Sequence, residues 1–443
     1  MKYTLKIIPL LFLITSWSLK APLQVISTPG HFEVGGNQFY TPTQYNDQIF
    51  VLAVSNLIFD MQGNSLQGDL TSGFTGLVGI YINPDLTNVS IINALVEDID
   101  NIGIFVSPGC SNITINNTSL EDCGNSAITF GGDSLSPINN VTITNCETSQ
   151  SATLISAQAA WSLQFCNNNT LNNNNLLQNG STDVVIDGIQ LNNCVQSLIT
   201  NCSINNNIGS GVSGYHVLGS SASIFQNCFA LDNNASFTAS NGFLIDTSSI
   251  ATTFENCIAQ GNSTTGGSTI EARGFGVFNS TSCTLNNCLA QSNSSLMGAG
   301  TAMGLKAANC SLIDVNQCIF SDNMATGTGF GILFDTTSQI NMKSSVCQNN
   351  TGSVASIGCL LNNCNSYSLL SNQFLFNSGA PFNRGLYVIN GTKRIALNNV
   401  SFNNGATNVE QIDGLTSAET SDLDTSLNNL NTITSYWTNI RGF

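Results

Sequence analysis

Apolar and polar residues alternate in short runs along most of the chain. Runs such as "GIYIN" from Gly79, "GILFD" from Gly331 and "GLYVIN" from Gly385 open on a glycine and place apolar side chains at the first and third positions after it. Such alternation is typical of a half-buried β-strand, because successive side chains point to opposite faces. The pattern therefore predicts an all-β chain built from short strands.

The same phrase returns at a nearly constant interval. A column of cysteines recurs every 26 to 31 residues, and an asparagine follows each cysteine five positions later; the cysteines are Cys202, Cys228, Cys257, Cys288 and Cys318. Strands too short to pair within one repeat must pair with the equivalent strand of the next, which gives parallel sheets wound as a solenoid. Since parallel crossovers are right-handed, the sequence predicts a right-handed parallel β-helix, a single-chain solenoid of about twelve coils.

One stretch near the start resembles a known family. The phrase from Asp60 to Gly68, followed by coils that open with Gly-Ile, is similar to the opening of right-handed parallel β-helix repeat proteins of the pectate-lyase-like superfamily. The resemblance covers about residues 25–404. It implies a fold and leaves the activity open, because the superfamily includes lyases, hydrolases, epimerases and adhesins.

The chain divides into four predicted segments. Residues 1–21 contain two early lysines and an apolar run too short to span a membrane, which indicates a signal peptide and therefore export to the periplasm, the cell surface or the medium. Residues 22–78 are predicted as an N-terminal cap with the first coil, and residues 79–404 as the repeats. Residues 405–443 are predicted as a C-terminal cap, because the last coil exposes an unpaired edge. No other segment is apolar and long enough to span a membrane.

Charge narrows the range of partners. The chain has 10 lysines and arginines against 26 aspartates and glutamates, for a net charge of −16. No lysine or arginine lies between Ala21 and Glu271. Nucleic acid and anionic membrane surfaces are therefore not expected as partners.

The cysteine column and the asparagine column each have a structural interpretation. Stacked strands place equivalent Cβ atoms about 4.8 Å apart, which is wider than the roughly 3.8 Å of a disulfide. Most of the 15 cysteines are therefore expected to be a stack of free, buried thiols. The asparagine column is expected to form a ladder of amides at a corner, with asparagine chosen because it tolerates the left-handed turn conformation.

Candidate catalytic residues were sought on the outward positions of the glycine-led strand, the second and fourth after glycine. No acidic pair occurs there on neighbouring coils, as a glycosidase requires, and the polygalacturonase motifs are absent. The only grouping is His216, Asp246 on the next coil, and Lys306 two coils further on. These three residues are the catalytic candidates.

An acidic cluster suggests a cofactor. The phrases "VEDID" and "LEDC" stack with a 24-residue offset, and their carboxylates would repel unless they were protonated or bridged by a calcium ion. The alternative is a solvated turn with divergent side chains. The calcium candidates are Glu97, Asp98, Asp100, Glu121 and Asp122.

The outward strand also carries a series of large apolar side chains, which a soluble protein seldom leaves bare. This predicted binding face comprises Tyr81, Phe105, Leu244, Phe278, Leu333, Leu360 and Tyr387.

Two function classes follow from these observations. The first, favoured by the lack of a recognisable catalytic set, is a non-catalytic, adhesin-like solenoid that binds a glycan or another surface protein. The alternative is a carbohydrate-active enzyme, a polysaccharide lyase, hydrolase or epimerase, with an unrecognised site.

Overall fold

The structure is a computed structural model. It describes residues 24–412, except 43, 45, 70–75, 155–157, 267–269, 380, 390–391, 398, 403 and 405–406, and it also describes residues 429–430. The predicted signal peptide and most of the predicted C-terminal cap lie outside these residues. In these residues, all of the regular secondary structure is β-strand.

All strands pair in parallel, each with the equivalent strand of the neighbouring coil, and form three long sheets and one short one. Sheet A, with 15 strands, consists of Gln24–Ile26, Gln48–Leu52, Val78–Ile82, Ile102–Val106, Ser126–Gly131, Ala159–Gln164, Val185–Asn192, Gly211–Leu218, Ser240–Asp246, Glu271–Phe278, Thr301–Ala308, Thr328–Asp335, Ala355–Asn362, Phe382–Ile389 and Thr407–Ile412. Sheet B, with 14 strands, consists of Gly30–Glu33, Leu57–Asp60, Thr87–Ile92, Ser111–Asn116, Ile138–Thr144, Cys166–Asn172, Val195–Thr200, Ile224–Gln226, Ile250–Glu255, Thr281–Asn286, Ser311–Asn316, Ser338–Lys343, Asn365–Leu370 and Thr392–Leu397.

The remaining strands are shorter. Sheet C, with 15 strands, consists of Gln38–Tyr40, Ser65–Gly68, Leu95–Glu97, Ser119–Glu121, Glu147–Ser149, Asn175–Leu177, Ser203–Asn205, Phe229–Leu231, Ile258–Gln260, Leu289–Gln291, Ile319–Ser321, Val346–Gln348, Gln373–Leu375, Val400–Phe402 and Asn429–Leu430. Sheet D, with six strands, consists of Ile208–Gly209, Asn234–Ala235, Ser263–Thr264, Ser294–Ser295, Met324–Ala325 and Thr351–Gly352.

The solenoid winds about 13 turns, close to the predicted number. The predicted cap at residues 22–78 already contains two complete coils, because residues 24–40 and 48–68 each supply a strand to sheets A, B and C. At the other end, Thr407–Ile412 joins sheet A beyond the predicted limit of the repeats at residue 404.

The interior is filled by columns of equivalent side chains. The rings of Tyr215, Phe243 and Phe275 stack beneath sheet A, with centroids 4.7 and 4.9 Å apart. All 15 cysteines are buried and free. Most of their thiols donate to backbone carbonyls; the Cys257 Sγ, for example, lies 3.4 Å from the Phe225 oxygen. Stacking of equivalent side chains from successive coils thus keeps the interior packed along the axis.

Buried asparagines form a second column, in which each amide donates to the amide of the next coil. The Nδ2–Oδ1 distances are 2.8 to 3.0 Å along the series Asn233, Asn262, Asn293, Asn323, Asn350, Asn377 and Asn404. The expected left-handed conformation does not lie in this column. It lies one residue earlier, for instance at Asp232 and Ser292, where φ is 54° and 56°. The residue before each ladder asparagine turns the chain at the corner, so the asparagine side chain can point into the interior.

The glycine column of sheet A also has a steric cause. A Cβ on Gly274 would lie 2.7 Å from the carbonyl oxygen of Gly304 and 2.5 Å from the Cβ of Ala290. Both distances are shorter than van der Waals contact. The backbone therefore requires glycine here.

Candidate functional site

A polar cavity of about 860 Å³ opens on the outer surface of sheet A. Asp187, Asn241 and Arg273, which line it, each precede the glycine of their strand, and His216 comes two positions after a glycine. The register pairs Asp187 with Ser213, Ser213 with Asn241, and Asn241 with Arg273. The site is thus assembled from four consecutive coils of one sheet.

One end of the cavity holds a histidine oriented by a carboxylate. The Nδ1 atom of His216 lies 2.7 Å from Oδ2 of Asp187, and the same oxygen accepts a hydrogen bond of 2.9 Å from Gln190 Nε2. The His216 side chain is 16% exposed, and its Nε2 atom is buried without a hydrogen-bond partner. Because Nδ1 donates to Asp187, neutral His216 presents the lone pair of Nε2.

The pKa of His216 reflects opposing effects. Burial by itself lowers the pKa, but the carboxylates of Asp187 and, more weakly, Asp246 outweigh it, so the pKa of His216 is raised above its ordinary value. A group of this kind suits general acid–base catalysis near neutral pH.

The other end of the site is cationic. Glu271 accepts a hydrogen bond of 2.7 Å from Nε of Arg273 and another from its Nη2. Lys306 Nζ lies 2.7 and 2.9 Å from the two oxygens of Glu271. Burial alone would raise the pKa of Glu271, but the two cations hold it below its usual value. Two cations around one carboxylate leave this end with one net positive charge.

Contacts to the rest of the site hold these cations in place. Arg273 Nη1 donates to Asn241 Oδ1 at 2.9 Å, which brings the guanidinium to the coil next to that of His216. The ring of Phe278 lies 4.9 Å from the guanidinium carbon and 5.7 Å from Lys306 Nζ. Both distances permit cation–π attraction.

The structure brings two of the three catalytic candidates together. His216 and Asp246 both line the cavity. Asp246 accepts a hydrogen bond of 2.6 Å from the Thr247 backbone and does not hydrogen-bond to His216. Lys306 binds Glu271 instead of either candidate.

Sequence reasoning missed the partners of these candidates, because only the second and fourth positions after glycine were considered as outward. The position before glycine also faces outward in these coils, since Asp187, Asn241 and Arg273 line the cavity. Had this position been included, one signal would have identified the site: four consecutive coils carry hydrogen-bonding side chains there. They are Asp187, Ser213, Asn241 and Arg273.

The predicted binding face is divided. Tyr81 and Phe105 stack at one end, with centroids 5.4 Å apart, and the strand positions between Phe105 and His216 are polar. Leu244 and Phe278 border the polar cavity. At the other end, Leu333, Leu360 and Tyr387 pack into an outer apolar cluster, with Tyr387 only 9% exposed. The described part of sheet A therefore lacks the expected contiguous apolar strip. The cavity lies in the polar region between the two apolar ends.

The calcium candidates lie near one another without forming a metal centre. Glu97 pairs in register with Glu121, and the pKa of Glu97 is raised by burial and by the charges of Glu121, Asp98 and Asp122. Asp100 instead accepts hydrogen bonds from the backbone of Gly76 and Leu77. In the described residues, no three His, Cys, Asp or Glu side chains are placed to hold a metal ion. Calcium binding stays a prediction, which a calcium titration can test.

Comparison with known proteins identifies the fold. Residues 78–217 match the family model described as right handed beta helix region. The chain folds as a right-handed parallel β-helix. It has the fold that the resemblance to the pectate-lyase-like superfamily implied. No curated protein matches the chain.

Among solved structures, a mutant of the periplasmic alginate epimerase AlgG is similar, with a TM-score of 0.50 and 10% identity over 88% of this chain and 85% of that one. Vag8, solved in complex with C1 inhibitor, has a TM-score of 0.50 and 13% identity over 88% and 94% of the two chains. The A-module of the Azotobacter vinelandii mannuronan C-5 epimerase AlgE4 has a TM-score of 0.37 and 13% identity over 94% and 91%. These likenesses concern the fold.

The described residues include no helix long and apolar enough to cross a membrane.

Proposed function

We propose that this chain is an exported carbohydrate-active β-helix protein that removes a proton from a uronic acid unit of an acidic polysaccharide. The observation that carries the proposal is His216, which is oriented by Asp187, has an Nε2 atom without a hydrogen-bond partner, and lines the same cavity as Arg273. A base and a cation in one cavity match a substrate whose acidic hydrogen lies next to a carboxylate.

The chemistry follows from these positions. His216 Nε2 takes the hydrogen from the carbon next to the sugar carboxylate. The electron pair of the broken C–H bond spreads into that carboxylate, where the positive charge of Arg273 stabilises it. Return of a proton from water to the opposite face gives an epimer. If the C–O bond on the next carbon breaks instead, the glycosidic oxygen leaves with a proton from water as an alcohol, and an unsaturated sugar remains. Both outcomes share the first step.

Hydrolysis fits the site less well. A glycosidase needs two carboxyl groups that flank the scissile bond. Asp187 is already engaged by His216 and Gln190, and Glu271 by Arg273 and Lys306. Asp183 and Asp246 are the remaining carboxylates of the cavity. The register places Asp246 level with Asn192, nine residues beyond Asp183 along the chain, so the two carboxyl groups lie farther apart than those of a glycosidase. The geometry therefore supports proton abstraction in preference to hydrolysis.

Deuterium exchange tests the proposal directly. The protein is incubated in D2O with oligomers of mannuronate, guluronate and galacturonate, and NMR measures deuterium at the carbon next to the carboxylate while ultraviolet absorbance detects unsaturated products. We expect exchange into one of these oligomers, and a loss of about 10² to 10⁴-fold in His216→Gln. His31→Gln is the matched control, because His31 is the chain's second histidine and lies on sheet B. Wild-type rates in His216→Gln would refute the assignment.

Non-catalytic binding is the second candidate function, favoured by the outer apolar cluster. This cluster consists of Met303, Phe330, Ala355, Ile357 and Tyr387, with Leu333, Leu360, Phe382 and Ile389 packed against it. A surface protein could cover its partly exposed members. A pull-down with the purified chain and cell-surface proteins, repeated with Leu333→Ser/Leu360→Ser, tests this function without reference to His216.

A further inference from the structure

Glu271 occupies the position that an incoming anion would need. It takes the Nε and Nη2 edge of Arg273, the edge best suited to bind a carboxylate through two hydrogen bonds, and both of its oxygens contact Lys306 Nζ. Its side chain is 25% exposed and lies on the outer surface of sheet A. Arg273 thus has its principal carboxylate-binding edge filled by the protein itself.

We propose that Glu271 is an internal stand-in for the ligand's carboxylate, and that an acidic sugar binds by displacing it from Arg273 and Lys306. The inference rests on the proposed function only in naming a sugar as the source of the anion. Exchange of one carboxylate for another leaves the charge around the two cations unchanged. Addition of a second carboxylate beside the first would instead place two like charges within a few ångströms.

The neighbouring coil offers a position for the displaced side chain. Thr301 is the register partner of Glu271, about 4.8 Å away along the solenoid. Its Oγ1 atom is buried and has no hydrogen-bond partner. An unpaired buried hydroxyl is costly and therefore rare. When Glu271 leaves the cations, the Thr301 hydroxyl can donate to its carboxylate, and both groups then have partners.

The consequence is a threshold for binding. The ligand must compete with a carboxylate that is tethered to the site, so a single carboxylate binds weakly. A polysaccharide that also contacts the rest of the cavity has additional binding energy to displace Glu271. Glu271 would therefore make the site selective for polymeric acids over small free anions.

Sulfate is the first probe, because it needs only the two cations. Thermal shift and calorimetry measure its affinity for the wild type, Glu271→Gln and Glu147→Gln, whose exposed carboxylate lies on sheet C and controls for the loss of one negative charge. We expect Glu271→Gln to bind sulfate about tenfold more tightly than the other two. Equal or weaker binding by Glu271→Gln would overturn the inference and make Glu271 a positioning residue for the cations.

Thr301→Val supplies a second test that retains every charge and would be decisive if Glu271→Gln failed to fold. We expect it to bind sulfate several-fold more weakly than the wild type, because the displaced carboxylate loses its donor; unchanged affinity would count against the exchange. Trigalacturonate, trimannuronate and triguluronate are then titrated into the same proteins. Tighter sulfate binding by Glu271→Gln, with no binding of any of these acidic sugars, would refute the proposed function while supporting displacement of Glu271.

Discussion

Substitution of one ladder asparagine should destabilise the solenoid far more than its size suggests. Asn293 is fully buried, and its Nδ2 donates to Asn323 Oδ1 at 3.0 Å and to the Ala259 carbonyl at 3.4 Å. Its Oδ1 accepts from the backbone N–H and from Nδ2 of Asn262, at 3.2 and 3.0 Å. Asn293→Ala removes all four bonds while the surrounding coils stay in place.

The expected cost follows from the groups left without partners. The backbone N–H of Asn262 loses its acceptor, and the Ala259 carbonyl loses a donor. Asn262 Nδ2 keeps its bond to the Ala230 carbonyl. A buried polar group without a partner costs about 1 to 3 kcal/mol. We therefore expect Asn293→Ala to lower the free energy of unfolding by about 2 to 5 kcal/mol.

Urea unfolding followed by circular dichroism measures this loss from the shift in the transition midpoint. Asn287→Ala is the matched control, because Asn287 belongs to the same coil but is exposed, with φ of 52°. Its substitution should cost only about 1 kcal/mol, the penalty for a left-handed residue other than asparagine or glycine. If the two variants lost equal stability, the amide ladder would not be a principal source of stability.

Three further predictions concern the thiols, His216 and the outer apolar cluster. Thiol titration should find all 15 cysteines reactive after denaturation and almost none before it; a much smaller count after denaturation would indicate disulfides. Because the folded-state pKa of His216 is raised above 6.5, its ion pair with Asp187 stabilises the fold below that pH and is lost as the pH rises through the raised value. His216→Gln should therefore lower the melting temperature most below pH 6.5, and a deficit that grew with pH would contradict this. Leu333→Ser/Leu360→Ser should cost about 1 to 3 kcal/mol, because both side chains pack against the outer apolar cluster; an unchanged melting temperature would show that they contribute binding surface alone.

The fold could be predicted because the repeat itself encodes the register. Aligning successive coils on their glycines places Tyr81 beside Phe105 and His216 beside Leu244, and the structure has both pairs. The residue that makes the corner bend could not be predicted in the same way. Asparagine occurs both in the buried ladder and at the bend before it, and only backbone geometry separates Asn207 from Asn206, where φ is 57°.

The site was harder to predict than the fold, because its chemistry depends on side chains that depart from simple alternation. Alternation places the residues second and fourth after glycine outward, and this identified His216, Asp246 and Lys306. The residue before glycine would point inward by the same rule, but Asp187 and Arg273 line the cavity. These two residues supply the carboxylate that orients His216 and the guanidinium at the opposite end of the cavity.

The charge distribution connects the site to the composition of the whole chain. A net charge of −16 repels polyanions over most of the surface, and the first cations after residue 21 are Arg273 and Lys306. Both lie on sheet A, on adjacent coils, and both contact Glu271. A polyanion attracted by general charge would require a broad basic surface. Here Arg273 and Lys306 lie at one end of the site and are partly neutralised by Glu271, so the proposed recognition of an acidic sugar would depend on close contact at this site.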